Sequence, residues 1–224
     1  MNSLGFWKRP NKRAIITGPI VLGLIIIGFA TWFQGGKATQ QQPGMSPQAR
    51  QQAEGKSEGP VSDSLLASYK VADYLPRIIT IEKLGVTARV LPMGVNPDGS
   101  MQAPLNINDS GWYTKSARPD TPGAIVIDGH VRGPTKPGIF DHLDTLVAGD
   151  VVTLEKGDRE TLEYRVVKVK TVPLDAVNMN EVLRPYTAKT ESLNLISCTG
   201  TWQKDKKTFD KRVLVFAEQT KAAT

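Results

Sequence analysis

The chain has 224 residues, of which 40% are hydrophobic and 22% are charged, a composition typical of a globular protein with one domain and accessory segments. Its formal charge is +6, but four of the 28 basic residues lie within the first thirteen positions, and the other 24 stand against 22 acidic residues. This nearly neutral body has no basic stripe, which argues against a nucleic-acid-binding protein, and its single cysteine excludes an internal disulfide or a thiolate-rich zinc site.

An uncharged run of twenty residues, 14–33, follows the basic N-terminus. Its length matches the roughly 20 residues that an α-helix needs to cross a bilayer. Because basic residues favour the cytoplasmic side, we predict a cytoplasmic tail at 1–13 and a transmembrane anchor at 14–33. The protein would then be a single-pass protein of the cell membrane with an extracellular domain. The alternative is a cleaved signal peptide, although the run exceeds the usual 7–15 apolar residues and no convincing small-x-small cleavage site stands just after it.

The next segment, 34–64, is rich in Gln, Gly, Pro, Ser and Lys and has almost no large apolar residue. Such a composition cannot bury enough apolar surface to fold, so we predict a flexible linker. Residues 65–74 are weakly amphipathic, which favours a short leading helix. We therefore expect the folded domain to span residues 65–224.

Short β-type runs recur between turn signals from residue 75 onward and indicate a mainly β domain. The runs are 77–82, 86–91, 123–128, 151–155, 161–172, 193–198 and 212–217. Seven or more strands in a domain of this size are typical of a small barrel or sandwich.

Turn signals and breaks in the alternation add detail to this mainly β domain. Asn-Pro-Asp-Gly at 96–99 predicts a turn, and Gly-Asp at 157–158 predicts a hairpin. The apolar alternation slips by one residue at 166–167, which predicts a bulge. We expect short helices at 139–146 and 175–183.

Three residues suited to joint chemistry lie at the edges of these runs: Cys198 ends one, His130 follows another, and Arg212 begins the last. A thiol attacks a carbonyl well as a thiolate or with a base nearby, and His130 is a suitable base. The imidazolium can then protonate the departing amine, while an arginine can stabilise the oxyanion of the tetrahedral intermediate. If one sheet brings the three side chains together, the pattern indicates acyl transfer through a thioester.

Each of these residues also has a structural interpretation. A cysteine at a strand end is commonly a small buried hydrophobe, a histidine after Asp-Gly is commonly a turn residue, and a lone arginine is commonly exposed. The only other histidine, His142, lies in the stretch 139–143, whose pattern looks helical and favours a structural role. Trp202 either lines the site beside Cys198 or only packs against its neighbours.

Several motifs in the same order resemble the sortase family, the cysteine transpeptidases of the Gram-positive cell surface. They are Asp-Gly-His at 128–130, Leu-x-x-Leu-x-x-Gly-Asp at 143–150, Leu-x-x-x-x-Cys at 193–198 and the arginine at 212. The resemblance covers about residues 76–218, nearly the whole predicted domain. The predicted anchor and linker agree with it independently.

The resemblance implies a closed eight-stranded β-barrel in which Cys198, His130 and Arg212 form the catalytic set. A sortase cleaves a sorting signal, typically Leu-Pro-x-Thr-Gly (LPxTG), between Thr and Gly. It then passes the acyl group to an amine on a peptidoglycan precursor or a pilin. We therefore expect an LPxTG-type surface protein as the substrate and a cell-wall or pilin amine as the acceptor.

Finer features of the resemblance concern the class and the substrate groove. Gly-His-Val-Arg at 129–132 and Trp-Tyr at 112–113 resemble class F or a related class. Residues 172–183 lie where sortases form a wall of the groove. We predict that four residues bind substrate: Arg132, Ser197, Thr199 and Trp202.

Two other functions compete with this hypothesis. One is another peptidoglycan cysteine enzyme, such as an L,D-transpeptidase, but that family has its histidine and cysteine close in sequence, whereas His130 and Cys198 are 68 residues apart. The other is a non-catalytic surface β-domain that binds a partner, for which replacement of Cys198 would leave function intact. We expect no cofactor, no metal ion and no nucleic-acid partner.

Overall fold

The computed structural model describes residues 58–97, 99–187 and 191–222. The predicted tail, the transmembrane anchor and most of the predicted linker lie outside these residues. Of the helices in the described part, none has the length and apolar character that a membrane span requires.

Eight β-strands close into a barrel in the order β1-β2-β3-β4-β7-β8-β6-β5. Two pairs of neighbours, β2 with β3 and β4 with β7, are parallel, and the other six pairs are antiparallel. The structure thereby confirms the mainly β fold and selects the closed barrel over the sandwich. The strands are β1 Pro76–Ile81, β2 Val86–Met93, β3 Ser110–Tyr113, β4 Gly123–Gly129, β5 Val151–Lys156, β6 Thr161–Pro173, β7 Glu191–Gln203 and β8 Thr208–Ala222.

Alternation along the strands decides which side chains fill the barrel. Val152 and Leu154 of β5 are fully buried, and Leu195 of β7 joins Val213 and Val215 of β8 in the same apolar core. Because successive side chains of a strand point to opposite faces, the even-numbered residues near the end of β7 and the start of β8 lie on the outer surface of the barrel.

The predicted turns and the predicted bulge are confirmed. Gly157 and Asp158 lie in the connection between β5 and β6, where Arg159 adopts the left-handed conformation with φ of 76°. The register of β6 with β8 shifts between Val166 and Lys168, where the alternation slips. The turn at 96–99 closes with a bond of 2.9 Å from the Gly99 amide to the Asn96 carbonyl.

Short helices fill the connections, partly as predicted. The leading helix α1 spans Asp63–Ser68 and is capped by Ser62, so it starts earlier and is shorter than the predicted 65–74. Residues 139–146 contain only a 3₁₀ turn at Leu143–Thr145. The predicted helix at 175–183 is a 3₁₀ turn at Leu174–Ala176 followed by α2 at Met179–Val182. A further 3₁₀ turn spans Glu82–Leu84.

Residues 58–62, the described part of the predicted linker that precedes α1, contact the barrel. The Glu58 carboxylate accepts hydrogen bonds from the amide of Thr135 at 2.8 Å and from its hydroxyl at 2.6 Å. The Gly59 carbonyl accepts bonds from the side-chain amides of Asn106 and Asn108 at 2.9 and 3.0 Å. This stretch is therefore joined to the loops on either side of β3 and β4, and the domain boundary at 64–65 stays a prediction.

Candidate active site

Strand register brings Cys198, His130 and Arg212 to one level on the outer surface of the barrel. Cys198 of β7 lies directly opposite Arg212 of β8. On its other side β7 pairs with β4, whose last residue, Gly129, is opposite Ser197, so that His130 follows at the level of Cys198. We call these three residues the cysteine row. The structure thus places together the three residues that the sequence singled out, while their catalytic roles stay a prediction.

The end of β4 is held by tight packing beneath His130. A Cβ atom on Gly129 would lie 2.5 Å from Cδ2 of Phe140, a fully buried ring of the barrel core. The amide of Phe140 donates to the His130 carbonyl at 3.0 Å, and the amide of Gly138 donates to the Val131 carbonyl at 2.9 Å. Glycine at 129 therefore lets the ring support the backbone that carries the imidazole.

A backbone carbonyl sets the tautomer of His130. Its Nε2 lies 2.7 Å from the carbonyl oxygen of Pro104, in the connection between β2 and β3. A carbonyl oxygen only accepts hydrogen bonds, so Nε2 carries the proton and donates it. In the neutral ring Nδ1 is then the nitrogen that can take up a proton.

The Cys198 thiol is held mainly in its neutral form. Burial raises the pKa of the half-buried thiol above its ordinary value, and the charge of Asp128 raises it further. The guanidinium of Arg212 and a hydrogen bond with the Thr208 side chain act in the opposite direction and lower this pKa. A base must therefore take the thiol proton as the sulfur attacks, which is the chemistry that Nδ1 of His130 can supply.

The guanidinium of Arg212 is held within its own hairpin. Nη1 donates to the carbonyls of Phe209 and Lys211, and Nη2 donates to the Thr208 hydroxyl, each at 2.9 Å. A guanidinium has five N–H donors, and these contacts use three of them. Arg212 is thus a fixed positive charge beside Cys198 with donors for an oxyanion, an arrangement that costs little reorganisation during a reaction.

Asp128, which stands out in the sequence only as part of the Asp-Gly-His motif, also lies beside the cysteine row. It occupies the outer face of β4 opposite Ile196, which in turn faces Leu214 on β8. We call Asp128, Ile196 and Leu214 the aspartate row; it lies one step along the strands from the cysteine row. Burial raises the pKa of the Asp128 carboxyl well above its usual range. The only signal in the sequence was an acidic residue at a strand end before a histidine.

The segment after β6, which the resemblance predicts to be a wall of the groove, packs on the outer surface of the barrel beside the aspartate row. Val182 of α2 is buried against Leu214 and Phe216 of β8 on the outer surface of the barrel. The side-chain amide of Asn194 donates to the carbonyls of Val182 and Arg184 at 2.7 and 2.9 Å. The aspartate row therefore lies at the foot of this wall, between it and the cysteine row.

The four residues predicted to bind substrate do not share one surface. Ser197 is buried on the opposite face of β7 from Cys198, and its hydroxyl donates to the Gly129 carbonyl at 2.8 Å, so the structure does not bring it to the groove. Trp202 is 50% exposed and packs edge-to-face on Phe209, beyond a register shift that follows Thr199.

Arg132 and His142, both in the loop 131–142, are exposed. The Arg132 side chain is 59% exposed and lies 3.7 Å from the carboxylate of Asp141. The His142 side chain is also exposed and lies 3.6 Å from the same carboxylate. His142 is therefore a surface residue outside the cysteine row. It contributes to the fold through its carbonyl, which accepts a bond from the Thr145 hydroxyl at 2.7 Å.

Comparisons with known proteins identify the family and the fold of the chain. The family model of the Sortase domain matches residues 79–220. A comparison with curated proteins gave no match. Among solved structures, a pilus-related sortase C of Group B Streptococcus is 20% identical, with 76% of this chain and 78% of that chain covered and a TM-score of 0.50. Sortase C-1 of Streptococcus pneumoniae is 17% identical, with the same coverage and TM-score. At these identities the two structures show the fold.

Proposed function

The chain belongs to the sortase family and is a cysteine transpeptidase, and we propose that it cleaves an LPxTG-like sorting signal and transfers the acyl group to an amine at the cell surface. The observation that carries the proposal is the cysteine row, in which Cys198 faces Arg212 across one strand pair and His130 is level with it across the other. The Group B Streptococcus relative is pilus-related. For this chain we propose an amine of a peptidoglycan precursor or of a pilin as the acceptor.

Acylation begins with a neutral thiol and a neutral imidazole. Nδ1 of His130 takes the proton of the Cys198 thiol as the sulfur forms a bond to the scissile carbonyl carbon. The carbonyl oxygen becomes an oxyanion, which the Arg212 guanidinium stabilises. The carbon–nitrogen bond then breaks, the proton on Nδ1 goes to the departing amine, and the acyl group remains on Cys198 as a thioester.

Transfer reverses these roles on the same atoms. The acceptor amine forms a bond to the thioester carbon and gives a proton to Nδ1 of His130. The second oxyanion is again stabilised by Arg212, and the carbon–sulfur bond breaks. The proton returns to the sulfur, which restores the neutral thiol that burial favours.

The enzyme is proposed to act from the membrane, with residues 14–33 as the anchor and 1–13 in the cytoplasm. This part of the proposal rests on the uncharged run and on the basic residues before it. A linker after the anchor would let the barrel reach sorting signals and acceptors beyond the bilayer.

Intact mass spectrometry of the full chain in detergent tests the chemistry. The wild type is incubated with an LPxTG-type peptide library, and we expect an adduct whose mass equals the acyl part of one peptide. Cys198→Ala should give no adduct and should unfold at a similar temperature. An adduct on Cys198→Ala would refute the thioester mechanism. A folded wild type that gives no adduct with any peptide would favour the non-catalytic binding domain.

A further inference from the structure

Among the described residues, the donor that acts on the carboxyl of Asp128 is its own backbone amide, and Oδ1 receives no hydrogen bond. Asp128 is paired with Ile196 on β7 and with Gly111 on β3. A Cβ atom on Gly111 would collide with Oδ1 of Asp128 and Cγ of Met93, and would lie 3.2 Å from Cδ of the Pro104 ring. The carboxyl therefore lies over the bare backbone of Gly111, among an aliphatic side chain, a thioether and a proline ring, none of which donates.

Oδ1 of Asp128 is buried and has no hydrogen-bond partner among the described residues. The residue as a whole is only half-buried, so part of it stays open on the outer surface of the barrel. Buried polar atoms in folded proteins almost always have a partner, because leaving one unpaired costs about 1–3 kcal/mol. A carboxyl with an unpaired oxygen at a site is therefore expected to have a partner that the chain does not supply.

The same carboxyl is close to the reacting groups. Its charge raises the pKa of the Cys198 thiol. Pro104, whose ring lies over Gly111 beside it, offers its carbonyl to Nε2 of His130 at 2.7 Å. The wall that follows β6 borders the aspartate row on its other side, where Val182 packs on Leu214. A peptide that places a carbonyl at Cys198 and extends between these surfaces would pass Asp128.

We propose that Asp128 is a specificity-determining residue, whose carboxyl accepts a hydrogen bond from a hydroxyl, amide or ammonium group on one side chain of the bound sorting signal. The proposal rests on the proposed function, because it names a subsite of the same groove. A site that accepts a hydrogen bond from a substrate side chain discriminates against a side chain of the same shape that has no donor, because the acceptor in the site is then left unpaired.

Peptides that differ by one donor test this subsite. Each position flanking the scissile bond is varied in near-isosteric pairs: Thr with Val, Gln with Met, and Lys with norleucine. Mass spectrometry monitors the acylation of the full chain in detergent, and kcat/KM is measured for both peptides of each pair. We expect the donor-bearing peptide to react about 10-fold faster than its partner at one position. Asp128→Ala should reduce that ratio to within about twofold of one, and Asp128→Asn, which keeps a carbonyl acceptor, should retain part of it.

Ser192→Ala is the matched control. Ser192 lies on the same outer face of β7 as Cys198 but six residues earlier, and its hydroxyl is likewise buried with no partner among the described residues. This variant should keep the wild-type ratio, because it removes an unpaired buried atom outside the site.

The outcomes separate the two proposals. Acylation without a preference at any position, or the same preference in Asp128→Ala as in the wild type, would overturn the specificity role and leave the proposed function standing. No acylation of any peptide by the wild type would overturn both. A fall in the unfolding temperature of both Asp128 variants would also overturn the specificity role, because it would show that the fold itself satisfies the carboxyl.

Discussion

Replacement of Gly129 by alanine tests how far the position of His130 depends on the packing beneath it, because the imidazole itself stays unchanged. The glycine ends β4, directly before the imidazole, and the ring of Phe140 packs where a side chain would be. An added Cβ would lie 2.5, 2.8 and 2.9 Å from three ring carbons, closer than real Cβ atoms come to their neighbours. Because Phe140 is fully buried in the core, the ring cannot swing into solvent, and either the ring or the end of β4 must move.

The magnitude follows from the packing. Adding one methyl to a close-packed core lowers the free energy of unfolding by about 1–3 kcal/mol. If half of the overlap is relieved by the strand, His130 moves by several tenths of an ångström and its bond to Pro104 lengthens from 2.7 Å. Misplacement of a catalytic group by about 1 Å costs roughly 10²-fold in rate. We therefore expect Gly129→Ala to lower kcat by 10- to 100-fold while the thiol still reacts with a small alkylating agent.

A double-mutant cycle measures whether Phe140 is the cause. Unfolding midpoints and acylation rates are compared for Gly129→Ala, Phe140→Leu and the double variant. Leucine has fewer atoms at the point of overlap. The double variant should therefore have a higher unfolding midpoint and a higher acylation rate than the two single effects would give if they were additive. Additive effects, or an unchanged rate in Gly129→Ala, would refute the packing argument and assign the glycine some other role.

Three further predictions concern the charges around the thiol. Arg212→Lys should lower kcat/KM by about 10²–10³, because a point charge cannot replace the guanidinium donors, and near-normal turnover in a peptide-cleavage assay would place Arg212 outside the site. The rate of alkylation of Cys198 by iodoacetamide should still be rising above about pH 8.5, since burial raises the pKa of the thiol, and a plateau below that pH would contradict the buried thiol. The folded pKa of Asp128 lies above its unfolded value of about 3.9, so the folded state binds more protons between the two values and loses stability as the pH rises through that window. Asp128→Asn should then exceed the wild type in unfolding free energy at pH 7 by about 1–3 kcal/mol, with a difference that shrinks below about pH 4 in urea titrations.

Most of the barrel could be predicted because its strands carry their own signal. Each of the seven predicted runs corresponds to a strand, and only Glu82 of the first run lies outside it, in a 3₁₀ turn, since apolar alternation and β-branched residues reflect one buried face. The strand β3, Ser110–Tyr113, was not among those runs, because four residues with a central glycine show no alternation. Its place comes from parallel pairing with β2 and antiparallel pairing with β4, which is a property of the closed barrel.

The ends of strands β7 and β8 also lie beyond what the sequence indicated. Both strands continue past the predicted runs, to Gln203 and from Thr208, in a hairpin where Trp202 pairs with Phe209. This extension is half-polar and partly exposed, so it lacks the apolar pattern on which the prediction depended. The prediction of Ser197 as a substrate contact rested on its position beside Cys198, whereas neighbours in a strand point to opposite faces.

The surroundings of the thiol depend on three sets of contacts between distant parts of the chain, which no local sequence pattern reveals. The carbonyl of Pro104, between β2 and β3, sets the tautomer of His130, and the hairpin residues Thr208 and Phe209 fix Arg212. Oδ1 of Asp128 has no hydrogen-bond partner among the described residues, and β3 places a glycine beside it. Residue types alone could therefore name a nucleophile, a base and a cation. Which nitrogen of His130 takes the proton, and what surrounds the carboxyl of Asp128, follow only from the closure of the barrel around them.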